Sequence, residues 1–312
     1  MKPHQIRNSL LLFLTAIIWG TSFVAQSVAM DYIKPFTFNG IRFTIGGVVL
    51  LPVIVFLEQK KKKKKEIVIE NRTKEGKTQL MSGGICCGIL LMVASTFQQF
   101  GVTGTSVGKA AFITALYIVL VPLLGIFFKR KAGVQLWVSV VVALIGLYLL
   151  CMKENQFFFN GYDVVLLLCA FTFALHILCV DHFSPLVDSI KLSCIQFFVC
   201  GFLSLIGMIL TEQPSMAEIM AAYQPILYAG VMSCGVAYTL QVVGQKDLNP
   251  VIASLIMSLE SVVSAISGWL ILNQRLSKRE IWGCIVMFLA IILAQVPLRT
   301  RKERKRNKSC VD

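Results

Sequence analysis

The chain has 312 residues, of which 56% are hydrophobic and only 15% charged, yet it carries a formal net charge of +14. A soluble domain has no use for so much apolar surface, and a nucleic-acid binder would carry its cations on a polar background, so composition argues against both classes. Ten cysteines do not signal a disulfide framework: Cys86, Cys87, Cys151, Cys169, Cys179, Cys194, Cys200, Cys234 and Cys284 fall in apolar runs, where cysteine behaves as a small hydrophobe, and Cys310 lies in a basic tail.

Apolar runs of membrane-spanning length recur along the chain, since about 20 residues rising about 1.5 Å each cover a hydrocarbon core of about 30 Å. The first half places spans at Ser9 to Ala29, Phe36 to Leu57, Leu80 to Phe100, Ala110 to Phe128 and Val134 to Cys151. The second places them at Tyr162 to Val180, Ile190 to Leu210, Met220 to Val243, Val251 to Leu272 and Ile281 to Val296. The longest connection, Glu58 to Gln79, is charged throughout, so no soluble domain is expected. The predicted fold class is an all-α integral membrane protein with ten transmembrane helices.

With a cytoplasmic N-terminus and ten spans, 23 of the 30 Lys and Arg residues fall on the cytoplasmic side, among them nine from Lys60 to Lys77, the Lys129-Arg130-Lys131 run and seven from Arg299 to Lys308. The opposite side receives six, and Arg42 alone lies within a span. This is the positive-inside asymmetry, and it places both termini in the cytoplasm. The Lys60 to Lys65 run then reads as a topology anchor against anionic membrane lipids, not as a nucleic-acid patch. The first span follows Lys2 and Arg7 as a signal peptide would, but its apolar region is too long for one.

The halves share a grammar. Setting Ala110 against Ala253 pairs Leu116 with Leu259 and Gly125 with Gly268 without a gap, and a two-residue slip pairs Trp137 with Trp282. Further back, Leu14 to Phe23 lies over Leu167 to His176 and Pro35 over Asp188. The division is residues 1–152 as a first five-helix repeat, 153–298 as a second and 299–312 as a basic cytoplasmic tail. Five is odd, so the second repeat starts on the opposite side of the membrane and the two are inverted, an architecture of secondary transporters with a midplane site at the repeat interface.

Several motifs carry a resemblance. Trp19-Gly20-Thr21-Ser22-Phe23-Val24 opens the chain; Phe97-Gln98-Gln99-Phe100-Gly101, Lys109-Ala110-Ala111-Phe112-Ile113-Thr114-Ala115-Leu116-Tyr117 and Val119-Leu120-Val121-Pro122 follow. The second half adds Ala174-Leu175-His176, Gln241 with Gln245-Lys246, and Ser258-Leu259-Glu260. In order and spacing these resemble the EamA type of the drug/metabolite transporter superfamily over nearly the whole chain. Ser261 stands where that family usually has proline, and Gln274 where a glutamate commonly closes the ninth span. Losing the proline predicts a straighter helix. The resemblance implies a ten-helix transporter of small metabolites, often amino acids or drugs, without ATP hydrolysis.

Glu260 falls near the middle of the ninth span. An ionised carboxylate there costs about 2.5–3.5 kcal/mol on insertion scales, so it must face a cavity, pair or be protonated; it reads as a proton-coupling or substrate-amine site, or as a structural partner of Arg42. Ser264 and Ser267 continue its face. Arg42, roughly two turns into the second span, can reach back toward water, pair with a carboxylate or contact the substrate, and snorkelling is the commoner outcome. Tyr238, Gln241 and Gln245 share one face of the eighth span, and Trp19, Phe23 and Gln26 one face of the first. Either face lines a pathway or bonds helix to helix. Gln98, Gln99, Tyr117 and His176 are further pathway candidates, although a lone membrane histidine is more often a satisfied hydrogen-bond donor. Gly84-x-x-x-Gly88, Gly104-x-x-x-Gly108 and Ala111-x-x-x-Ala115 read as close-packing patterns.

Gly104 to Lys109 lacks the glycine and the Ser or Thr of a phosphate loop, and His4, His176 and His182 form no metalloenzyme motif. Neither cofactor nor metal is expected. The expected function is a secondary transporter of amino-acid-like or drug-like solutes in the plasma (inner) membrane, an exporter or exchanger working by alternating access, and not an enzyme. Its partners are a small-molecule substrate, protons and membrane lipids, with no nucleic acid, and it acts as a monomer or homodimer. The rival readings are a membrane-embedded enzyme, a lipid-handling protein and a nucleotide-sugar-like exchanger.

Overall fold

The structure, a computed structural model, describes residues 3–63, 74–104, 107–127, 133–151, 160–246, 248–272 and 277–295. Lys64 and Lys65 of the expected lipid anchor, the Lys129-Arg130-Lys131 run, Gln274 and the 299–312 tail lie outside these residues. Every regular element among the described residues is helical. Three long helices come first, α1 (Pro3–Ala29), α2 (Pro35–Lys63) and α3 (Lys74–Thr103). They are followed by α4 (Val107–Ala115), α5 (Tyr117–Phe127), α6 (Val134–Cys151), α7 (Gly161–Phe183) and α8 (Ser189–Thr211). Short α9 (Met216–Ala221) and α10 (Tyr223–Leu227) lead into a π-helical segment (Tyr228–Tyr238) that continues as α11 (Thr239–Gln245). The chain ends in α12 (Pro250–Met257), α13 (Glu260–Leu272) and α14 (Lys278–Gln295).

Helix starts follow local chemistry. Asn160 caps α7 in a reciprocal capping box with Asp163, Asp188 accepts from the backbone of Ile190 and Lys191 at the start of α8, and Asn249 followed by Pro250 starts α12. The Glu212 carboxylate reaches from the end of α8 to accept from the backbone N–H groups of Phe36 (2.8 Å) and Thr37 (2.6 Å), capping α2 from another helix.

Among the described residues, eight helical stretches are long and apolar enough to cross a bilayer, and Val134–Leu149 is a shorter apolar helix. The burial pattern is inverted relative to a water-soluble protein. Arg42, Asn39, Gln99 and Glu260 are buried, while Phe127, Leu210, Phe202 and Phe56 are exposed, Phe127 by 83%. Only a solvent of hydrocarbon makes that arrangement favourable, because in water such an apolar surface would associate. This is a multi-pass membrane protein.

Three of the expected continuous spans are interrupted. The fourth breaks at Leu116 between α4 and α5, where the ladder tightens: the Leu116 N–H donates to Ile113 O (3.2 Å) and Val119 N–H to Leu116 O (3.0 Å). The ninth breaks at Ser258 and Leu259, between α12 and α13. There the Ser254 and Ser258 hydroxyls donate to the carbonyls of Val251 (2.9 Å) and Leu255 (2.8 Å), back-bonding that bends helices. The helix is interrupted here although serine, not proline, stands at 261. The expected eighth span, Met220 to Val243, begins in α9, passes through α10 and widens into the π-helical segment, a rare geometry that periodicity cannot announce.

The most extensive helix contacts are α2 on α8, α6 on α14, and α3 on α7 and α8, so elements distant in sequence build the core together. The Gly84-x-x-x-Gly88 pattern packs α3 on α8: a Cβ at Gly84 would lie 2.4 Å from Ile195 Cγ2, and one at Gly88 2.6 Å from Val199 Cβ. Tyr117, which opens α5, and Glu260, which opens α13, are 143 residues apart. The two interruptions thus fall at positions that the sequence alignment of the halves pairs, Leu116 with Leu259.

Candidate functional site

A cavity opens between the broken helices. Its walls come from both halves of the chain: Trp19, Phe23 and Gln26 from α1, Arg42 from α2 and Gln98 from α3; then Thr114 and Tyr117 from either side of the first interruption, and Phe173 and Ile177 from α7. Ser233 and Tyr238 of the π-helical segment, Gln241 of α11, Met257 and Glu260 complete it.

The interruptions aim the chemistry. Breaking the ladder at Leu259 leaves Glu260 at the first position of α13, with its carboxylate turned into the cavity where Tyr117 Oη donates to Oε1 (3.2 Å). Glu260 is only 4% exposed. Gly20 lets α1 close on this point, since a Cβ there would lie 2.6 Å from the Glu260 carbonyl oxygen and 2.5 Å from Val263 Cβ. Across the cavity the rings interlock: Trp19 packs edge-on to Tyr238 with centroids 4.6 Å apart, and Phe43 lies 5.9 Å from Tyr238. The Thr21 and Tyr228 hydroxyls hydrogen-bond, tying α1 to the start of the π-helical segment.

Arg42 departs from its expected behaviour. It is 1% exposed and does not reach water along its stem; its guanidinium lies 4.9 Å from the Phe38 ring centroid and 4.7 Å from that of Phe43. The backbone explains this. A Cβ at Gly46 would lie 2.6 Å from Cys234 Cβ, and one at Gly230 would lie 3.2 Å from the Arg42 carbonyl oxygen, so α2 is pressed against the π-helical segment at the arginine. Nor do Arg42 and Glu260 form an ion pair: among the described residues, Glu260 receives its hydrogen bond from Tyr117. Two cation–π contacts offer about 0.5–2 kcal/mol each, whereas burying an ion costs several.

Of the sequence candidates, Trp19, Gln98, Tyr117, Tyr238, Gln241 and Glu260 line the cavity together. His176 does not. It is fully buried one layer back, where its Nε2 donates to Gln196 Oε1 (3.1 Å) and its ring centroid lies 6.5 Å from that of Tyr238. Gln99, Gln245, Ser264 and Ser267 are buried outside the lining. Sequence reading missed Thr114, Phe173, Ile177, Ser233 and Met257 as lining residues. For Thr114 and Met257 a signal existed, because each lies one helical turn before Tyr117 and Glu260 on the paired helices. Phe173 and Ile177 carry no chemical mark that separates a cavity wall from core.

Several polar atoms of the lining residues lack a hydrogen-bond partner among the described residues: Trp19 Nε1, Gln26 Oε1, Gln241 Oε1, and Arg42 Nε and Nη2. Each such atom costs about 1–3 kcal/mol if left unmet.

An apolar exterior around a polar, aromatic-walled cavity defines a polytopic α-helical membrane protein. The EamA-like transporter family matches residues 7–152 and again 161–295, and the chain belongs to that family. An uncharacterized transporter of Archaeoglobus fulgidus is 27% identical over 91% of this chain and 84% of its own length. An uncharacterized transporter of Buchnera aphidicola is 25% identical over 95% of this chain and 96% of its own. The uncharacterized transporter YoaV of Bacillus subtilis is 24% identical over 96% of this chain and 100% of its own. A solved crystal structure superposes with a TM-score of 0.74 at 17% identity, covering 93% of this chain and 96% of that one, which establishes likeness of fold.

Proposed function

We propose that this chain is a secondary transporter that moves a small metabolite across the plasma (inner) membrane by alternating access, as an exporter or exchanger of amino-acid-like or drug-like solutes, and that it is not an enzyme. The observation that carries this reading is the cavity itself, walled by both family-matched segments and holding a buried carboxylate at a helix interruption. The reading takes the protein as ten transmembrane helices in two inverted five-helix repeats with both termini cytoplasmic. The twofold match of the family supports it, as do the interruptions at Leu116 and Leu259. Such repeats form their substrate site at the interface and expose it by rocking.

Glu260 is the coupling residue of this proposal, binding either a proton or a cationic group of the solute, with Tyr117 orienting it. The test uses cells lacking or overproducing the protein and a panel of labelled metabolites scored for uptake and export. Accumulation that collapses with an uncoupler supports a proton-coupled carrier. Glu260→Gln keeps size and hydrogen bonding but cannot titrate, so it should abolish pH-driven transport while preserving expression. Unchanged pH dependence in that variant removes Glu260 as the coupling site.

A further inference from the structure

Among the described residues Arg42 is a fully buried cation without an anion. Its Nε and Nη2 have no acceptor among them, and Glu260, the carboxylate on the cavity wall, accepts from Tyr117. One turn earlier on the same face of α2, Asn39 is also fully buried, and neither its Nδ2 nor its Oδ1 has a partner among the described residues. The glycine contacts at Gly46 and Gly230 fix the α2 backbone here, so the arginine cannot relieve itself by moving to the surface.

We propose that Arg42 is the anion anchor of the transported solute, and that the solute is a small organic carboxylate with an apolar body. A planar guanidinium with its donors unmet matches a carboxylate, which accepts two parallel N–H bonds. A single arginine neutralises one negative charge, and Glu260 on the same wall opposes a second, which disfavours dianions such as phosphate esters. Trp19, Phe23, Phe173 and Met257 supply the apolar surface that the body of such a solute covers. This inference rests on the transporter reading of the cavity and adds the class of solute.

The test separates the two. Trp19 lies in the cavity, so a variant with Trp137, Trp269 and Trp282 replaced by Phe reports binding in lipid nanodiscs through one fluorophore. Phenylacetate, hexanoate and phenylalanine are titrated against their amides. The expected result is saturable Trp19 quenching by at least one acid, roughly tenfold or more tighter than by its amide, the weight of a charge-assisted hydrogen bond. Arg42→Gln should bring acid and amide to within about twofold, and Arg42→Lys, which keeps charge but loses the fork, should retain the preference with weaker binding. Amides binding as tightly as acids, an acid preference that survives Arg42→Gln, or no response to any acid overturns the proposal. Counterflow in proteoliposomes is the second arm. An acid that binds through Arg42 but shows no counterflow sinks the transporter reading and leaves the anchor standing; counterflow of amides untouched by Arg42→Gln does the reverse.

Discussion

Tyr117 Oη donates a 3.2 Å hydrogen bond to Glu260 Oε1, and these two residues occupy the same position in the two halves of the chain: each is the first residue of the helix that resumes after an interruption. Helix α5 meets α12 while α4 meets α13, so the two broken helices cross reciprocally. On the two-repeat reading, a residue that touches its own counterpart lies beside the axis relating the halves, and anything bound there responds to their relative motion.

A double-mutant cycle measures that bond. Tyr117→Phe removes the donor and Glu260→Gln the charge, and a hydrogen bond to a charged group is worth about 1.5–3 kcal/mol. Transport should fall roughly tenfold or more for Tyr117→Phe in the parent. The same change should cost far less in the Glu260→Gln background, leaving a coupling energy in that range. Additive losses would mean that the contact has no part in transport.

Solvent access checks the assignment of faces. In a cysteine-free background, Tyr238→Cys and Gln241→Cys should react with a small polar thiol reagent, because both positions line the cavity. Leu240→Cys, absent from the lining, should be protected. Reactivity at Leu240 with protection at the other two would show that water follows another face of α11.

Orientation follows from the distribution of positive charge. An impermeant thiol reagent applied to intact cells should leave Lys77→Cys, exposed at the start of α3, unlabelled. It should label Ala217→Cys, exposed on α9 at the other end of the bundle. The opposite pattern reverses the topology.

What could be read from the sequence was whatever hydropathy and helical spacing encode. The positions of the helices followed from transfer cost, and the aromatic-amide faces of α1 and α11 followed from 3.6-residue periodicity. Glu260 stood out because a carboxylate at that depth is expensive. The interruptions at Leu116 and Ser258 were hidden because no proline or glycine marks them; serine back-bonding and packing against the paired helix decide them. The π-helical segment was hidden although Gly230 and Gly235 lie within it, because its rare geometry has no hydropathy period that announces it. Arg42 was misjudged on a length argument: its stem is long enough to reach water, but glycine-mediated contact with the π-helical segment closes the route, and that contact joins residues nearly 190 positions apart. His176 was a pathway candidate as a lone polar ring in an apolar helix, with a satisfied hydrogen bond as the commoner outcome, and Gln196 on α8 is the partner that holds the ring behind Tyr238.

Gly20 is where fold and site meet, and substitution there distinguishes packing from chemistry. A methyl at Gly20 collides with the Glu260 backbone carbonyl as well as with Val263 Cβ, and backbone cannot swing aside as a flexible side chain can. Overpacking of this kind costs about 1–3 kcal/mol. Gly20→Ala should therefore lower the melting temperature in detergent and, by pushing α1 off α13, displace Glu260 from Tyr117 and reduce transport even in the surviving folded protein. Gly133→Ala is the control, since a Cβ there meets nothing within 4 Å and should leave both readouts unchanged. If Gly20→Ala melts and transports like the parent, α1 has room to move away from α13, and the close approach at Glu260 is not what holds the carboxylate in the cavity.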